Sequence, residues 1–431
     1  MIRLFIIFFL ALSAVAQPPY SQEPQVRVRI INSLDTLNVA LNGAWSFRNT
    51  GTSTMTLPLN ASVRFINGGG QVSILDTAGT LLAKTPSLML RSSSDTATVM
   101  ISSVPYGVGW WWAGEEDRVY EGDFHIYLGT QQEMNVVVQL PLETYLKGVV
   151  PYEIGGDSPL EALKAQAVAA RSEAVIALTS KLYSGEFYDL TSDVECQVFS
   201  GNHKRTHHSD QAVEETAGLI LSENGQPVNA YYASNCGGRA ALIQNVWPDR
   251  PRLESYEVSL PDNDAREAPN LKWGWKAKRW IDSSPDVYCN PDSNTFLPSW
   301  SKKNFRWTRE YSVDELSEML SGDEDLGRFK RIRVLKRGPS GRIYKARVIF
   351  EKGRFTVGGE LALRQLFSPS LRSSNFYVEQ NGDTVLLHGA GWGHGVGMCQ
   401  SGAVSQATLG RSFEEILRHY YAKAGLVSIY E

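Results

Sequence analysis

The chain is 431 residues long, enough for two or three domains and a sizeable core. Hydrophobic residues make up 42% and charged residues 20%, which excludes a disordered chain. Lys and Arg number 42 against 46 Asp and Glu; the net charge of −4 argues against the broad basic face that nucleic acid requires.

The first sixteen residues read as an export signal: Arg3, an apolar run from Leu4 to Leu12, and the small-x-small site Ala14-Val15-Ala16 before Gln17. Leu4 to Ala16 is thirteen residues, short of the ~20 that span hydrocarbon, and no cysteine follows it to carry a lipid. No later stretch is long and apolar enough to cross a bilayer. The expectation is an exported protein of the periplasm or cell envelope, without a membrane span once the signal is cleaved.

From about Gln25 to Gln139 the texture is strand-like. Val26, Val28 and Ile30 alternate with Arg27 and Arg29, and Val63-Arg64-Phe65, Val72-Ser73-Ile74 and Phe124-His125-Ile126 keep the period of two. Asn42-Gly43 and Gly68-Gly69-Gly70 mark turns. Ser158-Pro159-Leu160-Glu161 then predicts a capped helix running to about Lys181, with Gly185 as its stop. Its apolar stripe, Leu163, Ala167, Ala170, Ala174 and Leu178, is mostly alanine and lets a neighbouring backbone come close. A short helix is expected over Asp210–Gly218, followed by a hairpin about Asn224-Gly225. Ser234-Asn235-Cys236-Gly237-Gly238 reads as a turn needing positive φ. Pro248 to Ser301 is polar, rich in Pro and Trp and without period, so it is expected to be an insertion at about 249–301. Strands return between Phe329 and Thr356, a glycine-rich loop covers Gly389–Gly397, and Ser412-Phe413-Glu414-Glu415 opens a last helix. The fold class is α+β, with a β-rich front.

Three places could carry chemistry. Glu153, in Pro151-Tyr152-Glu153-Ile154-Gly155-Gly156, stands in apolar surroundings just ahead of the predicted helix. Two readings fit: a carboxyl kept protonated as a general acid, or a charge that favours a helix N-terminus. In His388–Gln400 alternate glycines set Trp392 and His394 on a loop without bulky neighbours. No GxGxxG and no Gly-Lys-Ser/Thr is present to cradle a phosphate, so a binding wall is the better reading. A thiol nucleophile, Cys236 or Cys399 with His394, matches no protease signature. The four cysteines, Cys196, Cys236, Cys289 and Cys399, allow three pairings and form no CxxC. His203, His207 and His208 read as a polar surface loop, and the expectation is no metal and no cofactor. Lys164, Gln166 and Arg171 read, from spacing alone, as solvated positions on the alanine-rich helix.

Taken in order, these motifs resemble the SpoIID/LytB domain family, the stage II sporulation protein D and amidase-enhancer group that acts on peptidoglycan. The resemblance rests on Leu140–Glu153, Leu160–Arg171, Cys196–Phe199, Tyr232–Gly238, Leu371–Phe376 and Gly391–Ala403, and covers about Tyr120 to Tyr421. Behind the export signal at 1–16 and the β-rich region at 17–118, it implies a catalytic domain at 119–431. It also implies a lytic transglycosylase cleaving MurNAc–GlcNAc bonds of peptide-free glycan strands, with Glu153 as its single general acid and base. Lys164, Gln166, Arg171, Tyr232, Ser234, Trp392, His394 and Gln400 would line the groove. The family name also covers a non-catalytic wall binder that stimulates a partner, an N-acetylmuramoyl-L-alanine amidase. Some members carry Cys and His, resembling zinc ligands, ahead of Cys-Gln-Val; here Thr191 and Glu195 stand there, which speaks against that metal site. The family's Met-Ser-Gln is Met398-Cys399-Gln400 in this chain.

Overall fold

Alternating burial along the first strands sets the architecture. Val26, Val28 and Ile30 are buried while Arg27 and Arg29 face outward, and Arg27 pairs with Asp189 at 2.6 Å. The computed structural model describes residues 20–49, 54–92, 94, 96–108, 112–250, 260–265, 269–322 and 324–430. The expected export signal lies outside the described residues, as do 251–259 and 266–268 of the expected insertion.

Two sheets form the front. One has seven described strands, in the order Leu190–Thr191, Gln25–Leu34, Met134–Pro141, Asp123–Leu128, Ser87–Ser92, Trp45–Asn49 and Thr54–Thr56. The other has six: Gly114–Tyr120, Thr98–Tyr106, Thr36–Asn42, Ser62–Gly68, Gln71–Asp76 and Leu81–Thr85. Gln25–Leu34 pairs antiparallel with Met134–Pro141, Val28 opposite Val138, and the expected boundary at 118/119 runs through this sheet.

Met134–Pro141 passes directly into a helix, α1 (Leu142–Ile154), which packs beside the alanine-rich α2 (Leu160–Ser180) and α3 (His207–Glu215). The α1 helix corrects the expectation that Glu153 stands just ahead of the first helix: it lies within one. Pro151 sits in the last turn of this helix, whose buried face is Leu142, Tyr145, Leu146, Val149 and Val150. The expected cap of α2 is also corrected. Pro159 is the N-cap and makes no side-chain bond, while the Ser158 hydroxyl donates back to the Ile154 carbonyl at 2.7 Å, satisfying an end of α1 instead. The box at Ser412 does form, and α3 has another at Thr206 and Ser209 that the sequence reading missed.

One core joins both sheets to α1, α2, α3 and the C-terminal residues as far as Ile429. A second core, from Trp307 to Leu387, belongs to two three-stranded sheets: Arg306–Ser312, Thr384–Ala390 and Phe376–Asn381, and the meander Phe329–Arg337, Ile343–Phe350 and Arg354–Gly358. No described helix is long and apolar enough to cross a membrane.

Candidate active site

Glu153 occupies the C-terminal turn of α1. This is the end where helix carbonyls disfavour a negative charge, so the macrodipole opposes ionisation here rather than favouring it. Gly155 closes the helix at φ +86°, its amide donating to the Pro151 carbonyl. The Glu153 carboxyl is enclosed by protein while the residue keeps a partly exposed edge. Its Oε1 accepts the Val198 amide at 3.1 Å, and its Oε2 accepts Gln400 Nε2 at 3.4 Å. Desolvation raises the carboxyl to about 6, against hydrogen bonds from Val198, Gln400 and Tyr232 that pull the other way.

The partners come from separate elements. Gln400 opens the helix Gln400–Thr408 and bridges Glu153 to Gln166 Oε1 of α2, 3.2 Å away. Tyr232 belongs to a two-residue strand, Tyr232–Ala233, that pairs in parallel with Met398–Cys399. Its hydroxyl donates to Gln197 Oε1 at 2.8 Å, and Gln197 in turn donates to Tyr145 and to the Ala170 carbonyl. The segment 197–198 thus holds the carboxyl from one side and Gln400 from the other.

The Gly391–Gly397 loop leads into Met398. Asn235 and Trp392 form an isolated antiparallel bridge, with Trp392 partly exposed and the Arg372 guanidinium 5.7 Å above its ring. His394 accepts the Val396 amide at Nδ1, 3.1 Å away, and makes a second bond with the Tyr232 backbone. Burial, followed by the Arg342 and Arg364 charges, lowers its pKa to about 3, so the ring is neutral and braces the loop against the Tyr232 strand. Ser234 Oγ accepts Asn304 Nδ2 at 3.0 Å, and the Ser234 carbonyl accepts the Ser401 hydroxyl.

Among the residues expected to line a groove, Gln166, Tyr232 and Gln400 meet at Glu153, while Trp392, His394 and Ser234 cluster on the adjoining loop and strand. Lys164 and Arg171 go elsewhere. Arg171, 0% exposed, forks onto Glu143 at 2.9 and 2.5 Å and caps the carbonyls of Leu219 and Val213. Lys164 pairs with Glu161 at 2.8 Å and with Glu215 at 2.7 Å, tying α2 to α3. The reason is periodicity: Lys164 and Arg171 lie within about 20° of each other on the helix, whereas Gln166 lies about 160° from Lys164. The sequence reading missed the Val198 amide, Gln197 and Tyr145, and also Trp300. The Trp300 indole nitrogen stands 3.3 Å from where a Cβ on Gly155 would sit. The placement of Trp300 beside Gly155 has no local sequence signal, because the residues are 145 positions apart. Cys236 and Cys399 are 2% and 1% exposed and face each other rather than His394. His203, His207 and His208 are exposed.

Residues 130–222, which carry Glu153, Gln166 and the Val198 amide, match the profile of the stage II sporulation protein family, and residues 294–397 match a domain of unknown function. An amidase enhancer of Bacillus subtilis is 26% identical over 306 residues, 66% of this chain and 40% of that protein. Stage II sporulation protein D of Bacillus amyloliquefaciens is 27% identical over 305 residues, 66% of this chain and 74% of that protein. Over these residues the chain is similar to the SpoIID/LytB family. An uncharacterised relative from Brachyspira hyodysenteriae is 28% identical over 306 residues, covering 70% of this chain and 71% of the relative. Residues 130–222 lie inside the larger hydrophobic core and residues 294–397 contain the whole of the second, and the two cores meet at the Trp392 loop.

Proposed function

We propose that this protein is a lytic transglycosylase that cleaves MurNAc–GlcNAc bonds in peptide-free glycan strands. The observation that carries the reading is the enclosed Glu153 carboxyl, raised to about 6 and held by the Val198 amide and Gln400, beside a partly exposed Trp and His loop. An ordinary glycosidase needs two carboxylates; an intramolecular transfer needs one. Glu153 protonates the glycosidic oxygen as the C1–O bond breaks. The muramic C6 hydroxyl then adds to C1 and returns its proton to the Glu153 carboxylate. No water is consumed, and the product is a 1,6-anhydro end. Gln400 and Tyr232 hold the carboxyl in place through both proton transfers. Trp392 and Trp300, both partly exposed, offer flat apolar faces for sugar rings. The apolar run Leu4–Leu12 with its small-x-small site supports export to the envelope, where such strands occur.

A second reading has its own support in the relative named amidase enhancer: a wall binder that accelerates an N-acetylmuramoyl-L-alanine amidase without cutting glycan. Mass spectrometry of peptide-free strands incubated with the protein separates the two. Anhydro-muramic ends that vanish in Glu153→Gln are expected. Intact strands with wild-type protein, together with faster amidase turnover, would replace the transglycosylase with the enhancer.

A further inference from the structure

Four ligand atoms from distant parts of the chain meet in one buried place. Cys236, Asp262, Cys289 and Cys399 are each at most 2% exposed, and their sulfur and carboxylate atoms all lie within 4.8 Å of one another. We propose that these four residues are the ligands of one tetrahedral divalent cation of the zinc class, which fastens the 249–301 insertion to the strands behind the active site.

The geometry favours a metal over a cross-link. The Cys236 and Cys289 sulfurs stand 3.6 Å apart. A disulfide needs about 2.05 Å, whereas two thiolates on a tetrahedral zinc with 2.3 Å bonds stand about 3.8 Å apart. Three sulfurs and one carboxylate oxygen form a closed set of four, the pattern of a structural site rather than a catalytic one with an open position.

The surroundings supply the outer hydrogen bonds that such ligands require. The Cys236 amide donates to Cys399 Sγ at 3.2 Å, and the Gly238 amide donates to the Cys236 sulfur. Asp262 Oδ2 accepts the Cys289 amide at 3.0 Å, and its Oδ1 accepts the Tyr420 hydroxyl at 2.7 Å. Charge balances as well. Three thiolates, one carboxylate and a divalent cation leave two negative charges, and two guanidiniums flank the cluster. Arg342 donates to the Cys236 carbonyl at 3.1 Å, and Arg306 donates to the Gly237 carbonyl at 3.4 Å.

The position gives the cation a task. Asp262 and Cys289 belong to the insertion. Cys236 lies just beyond Ser234, and Cys399 adjoins Gln400, the partner of Glu153. A cation here clamps the strands Tyr232–Ala233 and Met398–Cys399 in register, so its action on the site is positioning. It is separate from the Thr191–Glu195 segment ahead of Cys196, where Thr191 Oγ1 bonds Asp193.

The test uses the full chain purified without chelator, with elemental analysis and thiol counting in denaturant without reductant. About one zinc per chain and all four thiols free are expected, with the three cluster thiols unreactive in the native state until a chelator is added. Asp262→Asn and Cys289→Ser are expected to weaken zinc binding by about 10-fold or more, while Cys196→Ser keeps it. Cobalt substitution of the wild-type protein provides a readout independent of any variant's folding: a thiolate-to-cobalt charge-transfer band is expected. Two thiols missing from the count, or no zinc bound and no cobalt band even after loading, would overturn the proposal.

Discussion

At the scale of single residues, two carboxyls raised by burial both favour low pH, one for activity and one for stability. In the proposed mechanism Glu153 enters the reaction protonated, and its pKa is raised from the usual carboxylate value to about 6 by desolvation. Cleavage of glycan strands should therefore hold up to about pH 6 and fall about tenfold per unit above it. A pH–rate profile from 4.5 to 8.5 checks this; a rate that keeps rising through pH 7 would remove Glu153 as the initiating acid. Glu173, on α2, is raised to about 8 by burial, against the Ala230 amide and the Arg250 charge. Because the folded protein prefers this acid neutral, its contribution is intact below the ordinary carboxylate pKa and is lost as pH climbs through about 8. Glu173→Gln should match the wild type at pH 4 and be more stable by about 2–4 kcal/mol at pH 9, after discounting for its partly exposed edge. Thermal melts at the two pH values decide it: equal Tm differences at both would show that Glu173 does not titrate with folding.

At the scale of elements, the site depends on close backbone approaches that glycine alone permits. Gly397 has φ +71°, and a Cβ there would fall 1.9 Å from the Tyr231 carbonyl, which accepts the Met398 amide. Gly397→Ala should therefore disrupt the Tyr232–Met398 pairing, cost about 1–3 kcal/mol, and reduce glycan cleavage more than it reduces Tm. A variant that melts lower yet cleaves normally would mean that Gln400 and Tyr232 do not set the position of Glu153. The same elements show what the sequence could and could not disclose. The capped last helix, the Asn224-Gly225 hairpin and the front strands were legible because caps, turns and alternation are local signals. The α1 helix was not, since Pro151 mimics a stop and only the burial of Val149 and Val150 under the neighbouring elements overrides it. The motif singles out Glu153 as a candidate, but it groups Lys164 and Arg171 with Gln166 although the helical period turns them to another face. The cluster of three cysteines and Asp262 was invisible, because Cys236, Asp262, Cys289 and Cys399 share no short spacing.

At the scale of the molecule, two hydrophobic cores meet across the loop that carries Trp392 and His394. Arg342, 1% exposed, crosses between them: it leaves the hairpin of the second core and donates to the Cys236 and Gly393 carbonyls at 3.1 and 3.2 Å. Trp307 of the second core adds a bond from its indole to the Gly391 carbonyl at 3.0 Å. These polar links are few compared with the packing inside each core, so the unit around Phe329–Phe350 is expected to open on its own before Met134–Pro141, which lies inside the larger core. Removing the guanidinium leaves the buried Cys236 carbonyl and the part-buried Gly393 carbonyl without this donor, at about 1–3 kcal/mol for a buried one. Arg342→Leu should therefore lower the opening free energy of Phe329–Phe350 by about 2–4 kcal/mol and leave Met134–Pro141 nearly unchanged. Native-state hydrogen exchange in low denaturant reads both segments in one experiment. If they lose protection together in the variant, the two cores form one cooperative unit and Arg342 is not the hinge of their coupling.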